Sequence, residues 1–154
     1  MASPDSATGA LPLLDAAQLK AQGHLLAAPF QLETPADNRI ELKRLLRVLP
    51  GKRIVGEGCW QGHHVLIKIF LSHHQTKDFS AESCGIAALA KAGIPTPEIV
   101  GSTQIKGGGI ALFTRFLPTA ESLASLWKRL RPSSCDNDAE IIPFVEDSFR
   151  LLGR

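Results

Sequence analysis

Lys68 stands inside an otherwise apolar run, Val65-Leu66-Ile67-Lys68-Ile69-Phe70, and Glu82 follows it downstream. So many β-branched residues favour a strand, where alternate side chains share a face. Leu66 and Lys68 then point one way and Val65 and Ile67 the other. An ammonium among apolar neighbours is costly unless it is partnered. Glu82, near the start of a helical segment expected over Ala81–Lys91, can supply that partner. Two plainer readings stand beside this one. Lys68 can snorkel from an edge strand, and a glutamate in a first helical turn is favoured by the helix dipole with no partner at all.

The paired histidines, His63-His64 and His73-His74, raise the question of a metal. Neighbours on a strand face opposite sides, so each pair offers one ligand per face, and no carboxylate or cysteine completes a site at suitable spacing. Solvated loop histidines are the expectation. Trp60 and Trp127 read as packing anchors, because no basic stripe accompanies them as base stacking on nucleic acid would require.

These residues need elements to hold them. The turn pair Pro50-Gly51 separates a strand over Leu45–Leu49 from another over Lys52–Trp60, and Gln61-Gly62 leads tightly into a third, His64–Phe70. Strands joined this closely form an antiparallel meander. A polar stretch, Ser72–Ser80, precedes the helix, which Gly93, Pro95 and Pro97 end. Glu98–Thr103 and Ile110–Leu117 are two more strands around the Gly107-Gly108-Gly109 turn. A helix over residues 120–130 and a last one from about Asp138 follow, the latter with Ile142, Val145, Phe149 and Leu152 at helical spacing. Upstream, residues 1–38 show no strand pattern. Asp15 and Gln18 form a capping-box signature for a short helix, Ala16–Gln22, closed by Gly23.

Composition sets the class. Hydrophobic residues make up 44% of the 154 and charged ones 21%, as in an ordinary globular protein. The net charge of +2, without a basic cluster, gives no reason to expect nucleic acid as a partner. Cys59, Cys84 and Cys135 are odd in number and scattered, which argues against a disulfide framework and fits a reducing, cytoplasmic setting. No secretory signal or membrane span is legible, and a peripheral contact with a membrane face stays open.

Val65-Leu66-Ile67-Lys68 resembles the Val-Ala-Ile-Lys strand of protein kinases. The order of three strands, helix and two strands resembles their small lobe. Trp60-Gln61-Gly62 before the lysine strand, and Ala92-Gly93-Ile94-Pro95-Thr96-Pro97 after the helix, resemble most the bacterial lipopolysaccharide core kinases, which phosphorylate Kdo or heptose. The resemblance spans roughly residues 40–154. It implies an α+β fold: a kinase-like N-lobe with a five-stranded antiparallel sheet and one packed helix, then two helices of an incomplete C-lobe. The domains implied are an N-terminal arm and linker, 1–38, the lobe, 39–118, and the exit and first C-lobe helices, 119–154.

The resemblance also implies roles. Lys68 would contact the phosphates of ATP and pair with Glu82. Two glycine sets compete for the phosphate turn. Gly62 lies too close to Lys68 to leave room for a strand between them, whereas Gly51 lies a full hairpin upstream. Gly51 and Lys52, or Arg53, are therefore assigned to the phosphate, with Gly56 and Gly58 as strand glycines at a bulge. An ordinary hairpin turn is the competing reading. Thr114 takes the gatekeeper position, the carbonyl of Arg115 and the N–H of Leu117 face the adenine edge, and Leu66 narrows the adenine pocket.

The family's catalytic loop and Mg²⁺ ligands follow the helix that ends here at Leu151-Leu152-Gly153-Arg154, and Asp136 and Asp138 do not correspond to them. A truncated chain or fragment, nearly inactive by itself, is the expectation, with Mg²⁺ arriving only with the missing lobe. The alternatives are a pseudokinase-like binding module, or a kinase of proteins or other small molecules. A sugar of the lipopolysaccharide core is the implied acceptor, the inner face of the inner membrane the implied place of work, and self-association through the last helix the implied consequence of its uncovered stripe.

Overall fold

The computed structural model describes residues 10–121 and 123–130, and the chain divides into two compact units after Phe116. In the first unit the elements run β1 (Leu13–Leu14), α1 (Ala16–Gln22), a short 3-10 turn (Gly23–Leu25), β2 (Phe30–Glu33), β3 (Arg39–Leu49), β4 (Arg53–Trp60), β5 (His63–Phe70), α2 (Gln75–Lys91), β6 (Ile99–Gln104) and β7 (Ile110–Arg115). The second unit contains α3 (Leu123–Leu130), with an Arg129–Glu121 ion pair at 3.0 Å. The stripe Ile142, Val145, Phe149 and Leu152, and the self-association argued from it, lie outside the described residues. No helix among the described residues is long and apolar enough to cross a membrane.

The fold is α+β, but the five-stranded antiparallel sheet is corrected. Seven strands form one mixed sheet in the order β1-β2-β3-β4-β5-β7-β6, with β1 parallel to β2 and the other pairs antiparallel. The two additional strands come from the stretch read as strandless. Phe30 and Leu32 are wholly buried, as are Ala16 and Leu19 of α1, so this segment lines the core. The expected capping box is present: Gln18 N–H donates to Asp15 Oδ1 and Asp15 N–H to Gln18 Oε1, both at 2.8 Å. It stops the helix from fraying at the point where Leu19 must turn inward.

Alternation on β5 is as read: Val65, Ile67 and Ile69 are fully buried on the inner face, together with Ala111 and Phe113 of β7. Trp60 anchors this face, stacked on Phe113 with centroids 4.2 Å apart. β3 departs from alternation. Register shifts between Leu42 and Arg44 and between Leu45 and Arg47 insert one extra residue each. Leu42, Leu45 and Val48 therefore all reach the core at a spacing of three, and Arg44 and Arg47 share the outer face. Gly56 and Gly58 lie opposite these bulges. A Cβ on Gly58 would sit 1.9 Å from the Glu41 carbonyl oxygen, so β3 and β4 can approach only at glycine.

α2 begins at Gln75, not Ala81. The polar stretch is helical because Ser72 organises its entry, its hydroxyl accepting from His74 N–H at 3.1 Å and donating to Asp78 Oδ2 at 2.9 Å. Its end is the one expected. Gly93, at φ 74°, carries a Schellman closure in which Gly93 N–H donates to Ala90 and Ile94 N–H to Leu89.

Candidate functional site

The outer face of the sheet collects the residues of interest in cross-strand rows. Arg47, Val55, Lys68 and Leu112 stand side by side across β3, β4, β5 and β7. The next row holds Arg44, Glu57, Leu66 and Thr114. Side chains in such rows sit close enough to touch a common ligand.

α2 leans over this face, with Phe79 edge-on to Phe70 at 6.2 Å. It brings Glu82 to Lys68: Nζ donates to Oε1 in a half-buried ion pair. Glu82 also faces Arg53 Nη1 at 3.5 Å, and the Arg53 guanidinium lies 4.8 Å over the Phe70 ring. Because α2 starts at Gln75, Glu82 is not in a first helical turn as read from the sequence. The dipole, which acts over the first turn only, does not account for it. Its two cations do.

A second network lies along the same face. Glu57 Oε2 accepts from Arg44 Nε at 2.9 Å and Nη2 at 2.6 Å, and Oε1 pairs with His64 Nε2 at 2.9 Å. Arg44 above all, then His64, holds the Glu57 carboxyl below the usual carboxylate range. The His64 ring packs on Phe116 at 4.6 Å, so this histidine is engaged rather than loose.

The remaining sequence candidates fall as follows. Leu66 is half-buried beside Thr114, on the face expected for it. Thr114 is 2% exposed, and its hydroxyl has no hydrogen-bond partner among the described residues. Arg115 leaves the sheet with its N–H donating to Glu98 O at 2.8 Å and its guanidinium 3.3 Å from the Glu98 carboxylate. Leu117 is exposed in the second unit. Gly51, at φ 65°, is the third residue of a turn closed by Lys52 N–H to Leu49 O at 3.0 Å, while the Lys52 carbonyl accepts from Leu71 N–H at 2.8 Å. Val55, Glu57 and Arg47 are additions. Counting alternate residues from Arg53 on the second strand finds Val55 and Glu57, but the bulges hide Arg47.

Among the described residues no group of three His, Cys, Asp or Glu is placed to hold a metal ion. A cavity of about 500 Å³ lies elsewhere, lined among others by Thr34, Asp37, Thr76, Lys106 and the glycine turn. It contains none of the Lys68 row.

No protein-family model matches the chain, and no curated protein matches it. A solved structure described as that of vaccinia related kinase 3 is similar at 13% identity with a TM-score of 0.46, over 77% of this chain and 39% of that one. The chain thus spans about two fifths of the length of that structure.

Proposed function

We propose that the first unit is the nucleotide-binding lobe of a kinase-like phosphotransferase, with ATP as donor and an alcohol of a lipopolysaccharide-core sugar as acceptor. The observation that carries this reading is the Lys68–Glu82 ion pair, on a face where the half-buried Val55 and Leu66 offer an apolar surface beside it. An apolar strand surface suits the flat side of a purine, and a lysine held by a carboxylate keeps donors for phosphate oxygens. The unpartnered, buried Thr114 hydroxyl fits a polar ligand on that side, since such a group is costly to leave unsatisfied. The carbonyl of Arg115 is the proposed backbone contact for the adenine edge.

ATP supplies the transferable phosphoryl group when bound. The residues of this chain bind and orient it: Leu66 and Val55 exclude water from the base, Lys68 holds phosphate oxygens, and Glu82 keeps Lys68 aimed. Glu57 is committed to Arg44 and His64, and Glu82 to Lys68 and Arg53, so neither is assigned to Mg²⁺. The metal belongs to residues beyond this face.

Calorimetric titration of the chain with ATP tests the reading. Saturable binding is expected, and Lys68→Met should weaken it about tenfold or more, the worth of one charge-assisted contact. Absence of ATP binding by the unaltered chain overturns the proposal.

A further inference from the structure

The turn assigned to phosphate from the sequence has few donors left. Lys52 N–H is spent on the Leu49 carbonyl, closing the turn. Gly56 and Gly58 lie on an interior strand, paired with Leu45 and Leu42 of β3 on one side and with Ile67 and Val65 of β5 on the other, so their backbone groups serve the sheet and not a ligand. A kinase-like lobe that grips phosphate by a glycine-rich loop relies on such backbone N–H groups. Here the grip has to come from side chains.

The outer face supplies them. Arg44 is bound to Glu57, and Arg53 and Lys68 share Glu82. Arg47 is exposed and has no ion-pair or hydrogen-bond partner among the described residues. It lies on the Lys68 face, and the two bulges of β3 bring it opposite Val55, with Val55 between Arg47 and Lys68 in register. Two strand spacings separate the Arg47 and Lys68 backbones by roughly 10 Å, a gap that long side chains close from either side. A guanidinium offers a fork of donors matched to phosphate oxygens, and it stays charged at any working pH.

We infer that Arg47 and Lys68, from opposite sides of Val55, form a side-chain seat for the polyphosphate of the nucleotide, in place of a glycine-rich loop. This rests on the nucleotide-binding reading above and adds to it the residue that does the loop's work. The seat requires the bulges: a regular β3 continued from the Leu42–Gly58 pair would set Arg47 opposite Arg53, out of the Lys68 row.

The test titrates the full chain and Arg47→Gln with ATP, with adenosine and with inorganic tripolyphosphate. Circular dichroism and the unfolding midpoint serve as the check of fold. Arg47→Gln is expected to weaken ATP and tripolyphosphate by about tenfold, the worth of one charge-assisted bond, and to leave adenosine unchanged. Arg47→Lys should recover part of the loss, because charge without the fork is retained. If Arg47→Gln binds ATP as the unaltered chain does while Lys68→Met does not, the seat is overturned and the nucleotide reading stands. An equal loss of ATP and adenosine also overturns the seat. If the unaltered chain binds neither ATP nor tripolyphosphate, both fall.

Discussion

Lys68 donates to Glu82 across the space between the fifth strand and the long helix, and Arg53 approaches the same carboxylate from the neighbouring strand at 3.5 Å. One acid therefore joins three elements of the first unit. Replacing it with alanine leaves two cations facing each other. Glu82→Ala should lower stability by about 1–2 kcal/mol, discounted for pair members that are roughly a quarter exposed. Urea unfolding measures it. No loss of stability would mean the pair is incidental to how α2 is seated.

Glu57 gives the acid side of the pH profile. Its folded-state pKa lies below the ordinary 4.5, mainly because of the Arg44 hydrogen bonds and secondly because of His64. A depressed carboxylate adds stability that is present above the unfolded value and lost as pH falls through the folded one. Between pH 5 and 3 the unaltered chain should therefore lose stability more steeply than Glu57→Gln. Urea midpoints collected over that range decide it, and parallel slopes would contradict the assignment.

Two glycines should respond in opposite directions. At Gly58 an added methyl meets the Glu41 carbonyl oxygen at 1.9 Å and Ile67 Cδ1 at 2.8 Å. Gly58→Ala should cost at or beyond the upper end of the roughly 1–3 kcal/mol typical of overpacking. Gly85, inside α2, has nothing within 4 Å of such a methyl, so Gly85→Ala should add about 0.5–1 kcal/mol through helix propensity. Thermal melts of the two variants separate the effects by sign.

The upstream segment should behave as part of the core. Phe30 is fully buried, and Phe30→Ala should cost about 3–5 kcal/mol, enough to unfold a marginal domain. Asp15→Ala removes an N-cap and should cost about 0.5–2 kcal/mol. A chain that melts normally with both changes would show that this segment is dispensable to the sheet.

What could be read without the structure was local. The capping box at Asp15 and Gln18, the closing Gly93, the turn at Gln61-Gly62 and the alternation of Val65 to Ile69 depend on residues within a few positions of one another, where side-chain chemistry acts directly on backbone geometry. Lys68 and its partner were legible for a related reason: a lone ammonium in an apolar strand demands a counter-charge. What tertiary structure decided was register. Leu13–Leu14 and Phe30–Glu33 are too short to announce themselves as strands and exist only because β3 presents an edge for pairing. The spacing of three among Leu42, Leu45 and Val48 conforms to no strand rule until two bulges, set by close contact with Gly56 and Gly58, bring all three into the core. Those bulges set Arg47 opposite Val55, in the row of Lys68, and a bulge forms between two strands, so neither strand's sequence alone determines that register.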